Sequence, residues 1–327
     1  MMRASGIRAA VEAAGKRIHP HVIETPLRRS DHLSRLTGAE VLCKLENIQV
    51  TGSFKARGAA NKIAALTGEE RLRGVVTASS GNHGAAVAAM LARTGIQGIV
   101  FVPTVAPQVK VDAIRGYGAD VRFHSHDSGA TEVFARAYAE DNGLTYISPY
   151  NDADIIAGQG TIGAELARQT GPIDHVFVAV GGGGLISGVA GYLKAVQPGT
   201  RIIGVSPGND CSMHKSVAAG RVVEDSEAKP TLSDGTAGTV EAGAITLPLC
   251  RALVDDWMLV SEDEIAEAMR LYMAHDNQLI EGAAGVAIAG LIQAATRTPE
   301  AFTGKRVVVI ICDGRIDLAK LKKLLPG

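Results

Sequence analysis

Four adjacent glycines, Gly181 to Gly184, join the apolar run HVFVAV to the helical pattern LISGVAGYLKAV. Glycines at a helix start expose backbone N–H groups and place no Cβ in a ligand's way, so the stretch reads as an anion cradle. No Asp or Glu falls between Val176 and Gln197, and the helix dipole adds about 0.3 to 1 kcal/mol for an anion. G-x-x-x-x-G-K-[ST] is absent, and G-x-G-x-x-G fails at Ile186 or Ser187, so a single phosphate fits better than a nucleoside triphosphate or a dinucleotide. A second loop, TASSGNHG at 77–84, offers Ser79, Ser80, Asn82 and His83 at a helix start, suited to a carboxylate or a cofactor oxygen. Capping of the helix by Asn82 explains that residue equally well. Lys55, in TGSFKARGAA, reads by itself as a solvated lysine at a helix start.

Together these features change the weight given to Lys55. An amine, a phosphate anchor and a carboxylate anchor are the parts that pyridoxal phosphate catalysis requires.

Alternating β-rich and helical stretches must position them. VLCKLE (41–46), VVTAS (75–79), GIVFV (98–102), DVRFH (120–124), HVFVAV (175–180), RIIGVS (201–206) and RVVVIIC (306–312) predict an α/β fold with mostly parallel sheets. Asn82 and Gly95 bound one predicted helix, and Ser261 with Glu264 makes a capping box for another, whose Ile265, Ala268, Met269 and Tyr272 share a core face. TGEERLRG (67–74) and SPYND (148–152) bracket three strand-helix units. The expected division is therefore a large domain from 1–69 and 150–327 with a small domain, 70–149, inserted in it. The stretch from Gly204 to Gly243 is the least regular.

The chain has 327 residues, and Lys plus Arg (33) balances Asp plus Glu (34), so no net field directs it to nucleic acid or an anionic membrane. Four scattered cysteines without a C-x-x-C pair argue against a disulfide framework or thiolate zinc site and for a reducing, cytoplasmic setting. His19 with His21 and His124 with His126 lack a third ligand at metal-binding spacing, so no metal is expected.

In ETPLRRSDHLSRLTGAEVLCKLENIQVTGSFKARGA, SSGNHG, AGQGTIGAEL, VGGGGLISG, EGAAG and CDGRID, the chain resembles the serine/threonine dehydratase group of pyridoxal-phosphate enzymes, the tryptophan synthase β-like fold type II. Within that group it is similar to hydroxyectoine-utilisation and phenylserine dehydratases. The resemblance implies two lobes, each a twisted, mostly parallel sheet flanked by helices, with the cofactor in the cleft between them. It implies that Lys55 binds pyridoxal 5'-phosphate covalently beside Phe54, that Asn82 meets the phenolic oxygen, and that Gly181, Gly182, Gly183, Gly184 and Leu185 hold the phosphate. Cys312 aligns with the residue at the pyridine nitrogen, Glu281 with an acidic residue near the ring, and Ser79, Ser80, Gly81 and His83 with the substrate-carboxylate site. Ser80 is also an acid/base candidate opposite Lys55. The implied activity is an ammonia-lyase that removes water from a β-hydroxy-α-amino acid such as threonine, serine or phenylserine. The expected assembly is a homodimer.

The chain also departs from the group. Asp313 and Arg315 replace residues of the usual Ser-Gly-Gly-Asn ending, so that either Cys312 or Asp313 could face the pyridine nitrogen, Ser206 and Ser212 stand where relatives carry metal ligands, and Tyr150 replaces an asparagine near the phosphate. Racemases and β-replacement synthases share the same anchors. A phosphate-ligand or nucleotide-binding protein without lyase activity is the alternative from another class.

Overall fold

The computed structural model describes residues 4–324. Its strands are β1 (Leu27–Arg29), β2 (Glu40–Leu45), β3 (Val75–Ala78), β4 (Gly98–Val102), β5 (Asp120–Phe123), β6 (Thr145–Tyr146), β7 (His175–Ala179), β8 (Arg201–Pro207), β9 (Asp256–Val260) and β10 (Arg306–Ile311). They form two sheets, ordered β1-β2-β10-β7-β8-β9 and β5-β4-β3-β6. Every pairing is parallel except β1 with β2. Parallel strands buried on both faces read as continuous apolar runs, and Val307 to Ile311 at the centre of the larger sheet are fully buried. In register, Val309 lies between Cys43 of β2 and Phe177 of β7.

Three strands go beyond the runs visible in the sequence. β1, β6 and β9 sit at sheet edges. β1 carries two exposed arginines, β6 has only two residues, and most of β9 is half-buried, so backbone pairing rather than an apolar pattern recruits them.

The helices follow their boundary signals with one correction. Gly95 closes the helix Asn82–Thr94 in the left-handed conformation, and Ser261 with Glu264 forms the capping box of Glu262–Asp276. Asn82 itself makes no cap. Gly81 is the capping residue, and the Asn82 side chain donates to Glu281 instead. The helix Ala153–Gln169 packs closely against Lys55–Ala65 and Gly184–Val196 through small residues. A Cβ on Gly158 would stand 2.6 Å from the Arg57 carbonyl oxygen, and one on Gly188 2.3 Å from that of Ile156.

The carboxyl ends of β3, β7 and β10 lead into Ser79, Gly181 and Cys312. Ligands of open parallel sheets bind outside such ends. Among the described residues, no helix is long and apolar enough to cross a membrane.

Candidate active site

Lys55 is the first residue of its helix, with Phe54 as the N-terminal flank. Its Nζ donates to the Pro149 carbonyl at 2.8 Å and lies 5.1 Å from the centre of the Phe54 ring. Burial lowers the amine's pKa to about 8, against the opposing pull of Asp313. At pH 7 roughly one amine in ten is then neutral, far more than for an ordinary lysine, and able to act as nucleophile or base.

Two sets of contacts fix this position. The Phe54 N–H donates to the Cys312 carbonyl at 3.0 Å, and Ser53 pairs with Asp313 in an isolated bridge, which ties the loop to the end of β10. Two residues on, the fully buried Arg57 guanidinium donates to both carboxylate oxygens of Glu46 (2.8 and 2.7 Å) and of Glu165 (2.6 and 2.8 Å). Lys44 completes the cluster, donating to Glu165 at 2.5 Å, Thr25 O at 2.6 Å and Gln169 at 2.9 Å. Two cations and two carboxylates thus neutralise one another away from water, and the helix carrying Lys55 is locked to β2 and to Ala153–Gln169. The signal in the sequence was Lys44 and Glu46 inside a run otherwise fit for a buried strand.

Pro149 also connects Lys55 to the glycine turn, because the next residue, Tyr150, packs on that turn. A Cβ on Gly182 would lie 2.4 Å from the Tyr150 ring, and one on Gly181 2.7 Å from the Thr236 carbonyl oxygen. Gly183 has φ +84° and caps the helix Gly184–Val196, with Leu185 buried behind it. The Tyr150 hydroxyl accepts from the Glu241 N–H at 2.8 Å, and burial raises its pKa, so the phenol is neutral.

On the other wall, Ser79 Oγ accepts from the Gly81 N–H at 3.1 Å, and Ser80 beside it is half-buried. Asn82 Nδ2 donates to Glu281 Oε1 at 3.1 Å and lies 3.5 Å from Asp313 Oδ2. His83 is placed differently from the serines. It is buried, its Nε2 lies 3.1 Å from the Ile147 carbonyl, and burial together with Lys55 lowers its pKa to about 3. The ring is therefore neutral, with Nε2–H as donor, and supports the strand end behind the loop.

Cys312 is buried at the end of β10, where burial and then Asp313 push its thiol pKa well upward. A neutral thiol results. Ser206 donates to the Val180 carbonyl at 3.1 Å. His124 stacks on Phe134, and His126 bonds Thr104. Among the described residues, no group of three His, Cys, Asp or Glu side chains is placed to hold a metal.

These residues fit an aldehyde cofactor with a phosphate tail. The amine is desolvated, the turn admits no side chain, and the buried Ser53 Oγ and Asp313 Oδ1 have no hydrogen-bond partner.

Comparison with known proteins agrees. The family described as "Pyridoxal-phosphate dependent enzyme" matches residues 18–313. A putative threonine dehydratase of Sinorhizobium fredii is 38% identical over 319 residues, 97% of this chain and 95% of that protein. A beta-hydroxyaspartate dehydratase of Paracoccus denitrificans is 38% identical over 310 residues, 94% of this chain and 96% of that protein. The processed form of threonine deaminase isoform 2 from Solanum lycopersicum superposes with a TM-score of 0.93 at 36% identity, covering 98% of this chain and 92% of that one.

Proposed function

This chain belongs to the pyridoxal-phosphate dependent enzymes, as an ammonia-lyase of the serine/threonine dehydratase group, and we propose that Lys55 is the residue on which its reaction turns. It removes water from a β-hydroxy-α-amino acid and leaves a 2-oxo acid and ammonia. The observation that carries the role of Lys55 is its desolvated amine, joined through Pro149 and Tyr150 to an N–H cradle.

When bound, pyridoxal phosphate supplies the electron sink that makes the substrate's α-proton removable. Gly181 to Gly184 would hold its phosphate with backbone N–H groups, and buried Leu185 keeps water out behind them. Phe54 lies along Lys55 and limits its swing. With the cofactor bound, Lys55 Nζ would be the base placed to take the α-proton. Ser79, Ser80 and Gly81 receive the substrate carboxylate, with the Ser80 hydroxyl available for proton transfer on the opposite face. Asn82 would hold the cofactor's phenolic oxygen, and the neutral Cys312 thiol would stand at its ring without fixing a positive charge there. His83 holds the loop from behind through Ile147. Residues 70–149 serve as the lobe that brings this loop to the cofactor. A cytoplasmic homodimer is the setting we propose.

The test has two stages. The purified protein is yellow, and borohydride fixes the cofactor on the peptide containing Lys55; a protein that takes up no pyridoxal phosphate overturns the reading. Threonine, serine, phenylserine and hydroxyaspartate are then supplied. At least one yields a 2-oxo acid with an equal amount of ammonia, and formation of the D-enantiomer alone instead identifies a racemase.

A further inference from the structure

We propose that Asp313 and Glu281 share a single proton across the Asn82 amide, and that Asp313 stands as a neutral acid beside Lys55 when the cofactor is bound. This rests on the assignment of Lys55 as the cofactor-binding amine. It adds a positioning residue that sets the charge of that amine's surroundings.

The pair is assembled from three segments. Asp313 follows β10, Glu281 precedes the helix Gly282–Arg297, and Asn82 starts the helix Asn82–Thr94. Asp313 is 2% exposed and Glu281 8%. The Glu281 N–H donates to the Asp313 carbonyl at 3.3 Å, so the two residues are tied through the backbone. One amide nitrogen, Asn82 Nδ2, serves both carboxyls, at 3.1 Å from Glu281 Oε1 and 3.5 Å from Asp313 Oδ2. Glu281 Oε1 receives a second donor, the Arg315 N–H, at 2.8 Å, whereas Asp313 Oδ1 has none.

The surrounding charges do not support two carboxylates here. Among the described residues, no cation forms an ion pair with either group. Lys110 influences Glu281, yet its ammonium pairs with Asp234 at 3.0 Å, which also takes Lys320 at 2.9 Å. Asp234 adds a further negative charge facing both carboxyls. On the remaining sides stand the neutral Cys312 thiol, the Ala284 N–H and Lys55. Burial, then mutual repulsion, holds the Asp313 carboxyl well above its ordinary range, and burial likewise raises Glu281. Like charges in a shared buried site titrate as a pair, with one proton retained to higher pH. Glu281 Oε1 takes both the Asn82 amide and the Arg315 N–H, and Asp313 is the more deeply buried of the two, so the remaining negative charge sits on Glu281 and the proton on Asp313, whose contacts with the Ala284 N–H and the Cys312 thiol offset only part of that burial.

The consequence falls on Lys55. Asp313 is the strongest attraction acting on its ammonium. An ionised Asp313 would hold that ammonium charged, whereas a neutral acid leaves burial free to keep the amine available. The unpartnered Oδ1 then belongs to a neutral hydrogen-bonding group rather than to a buried charge.

Infrared difference spectra of the pyridoxal-phosphate-loaded enzyme test this directly. The expected result is a carboxylic-acid carbonyl band at neutral pH in the wild type, lost in Asp313→Asn. In Glu281→Gln the band persists, but it titrates away at a pH lower by about one unit or more, because the repelling partner is gone. In parallel, the visible band of bound cofactor keeps its pH midpoint in Asp313→Asn, where a neutral amide replaces a neutral acid. That midpoint moves upward in Glu281→Gln, because Asp313 there loses its proton at a lower pH and is ionised over more of the range in which the amine titrates. Absence of an acid band in the wild type at neutral pH, or its persistence in Asp313→Asn, overturns the proposal. Where a variant fails to fold or to load, the pH course of the wild-type band alone decides. Failure of borohydride to fix cofactor on Lys55 strikes the proposed function instead, since the carboxyl band is also readable without cofactor.

Discussion

Lys55 and His83 are both desolvated bases with opposite uses. With Lys55 as the proposed base, only its neutral amine takes a proton, so turnover is expected to rise with pH through about 8, and a pH profile of kcat checks this. Lys55→Ala removes covalent cofactor attachment and lowers turnover by about two to four orders of magnitude, measured by borohydride labelling and 2-oxo acid release. His83 has a folded pKa of about 3 against an unfolded value of about 6.5, so the unfolded chain binds the extra proton between these values. Stability is therefore full above pH about 6.5 and falls as the pH drops toward 3. Denaturant unfolding of His83→Gln shows a flatter decline over that window. Lys55, Asn82 and the four glycines stood out in the sequence because the proposed chemistry restricts each to one or two residue types. The burial of His83 was not, since the same imidazole serves a substrate or a backbone carbonyl and only the fold decides which.

At the scale of elements, the placement of Lys55 depends on how three helices approach one another. Burial of the Arg57, Glu46, Glu165 and Lys44 cluster makes its members interdependent. Glu165→Gln leaves a fully buried cation short of its partner and lowers unfolding free energy by about 3 to 5 kcal/mol. Loss of the exposed Arg201–Asp256 pair costs less than about 1 kcal/mol. Urea titration of the two variants separates these outcomes. Gly158→Ala acts at the same contact by another route, pressing a methyl group against the backbone of Arg57 and Gly58. The motif AGQGTIGAEL thus has a packing meaning that its composition alone leaves open: the glycines face neighbouring helices. The cluster was missed because lysine and glutamate near a strand end ordinarily signal solvent, and Glu165, which joins Lys44 to Arg57, lies more than a hundred residues from either.

Across the whole molecule, the segment carrying the four-stranded sheet meets the rest of the chain through charges as well as through the chain crossings. Arg136, stacked 4.3 Å from the centre of the Tyr146 ring, donates to Glu132 at 2.9 Å and to Glu241 at 2.6 Å. Lys110 pairs with Asp234 in the same manner, at 3.0 Å. Glu241 also presents its N–H to the Tyr150 hydroxyl, so the Arg136 contact and the tyrosine on the glycine turn share one anchor. These pairs are partly exposed, and each contributes no more than about 1 kcal/mol, weakened further by salt. They are strong enough to bias the approach of the two sheets and too weak to determine whether either folds. Glu241→Gln therefore raises the dissociation constant for pyridoxal phosphate by less than about ten-fold, and added salt raises it in the wild type by a similar factor while affecting the variant less. Cofactor titration at low and high salt checks this, and equal salt dependence in both proteins would show that the Arg136–Glu241 contact does not couple the sheets to the cofactor site.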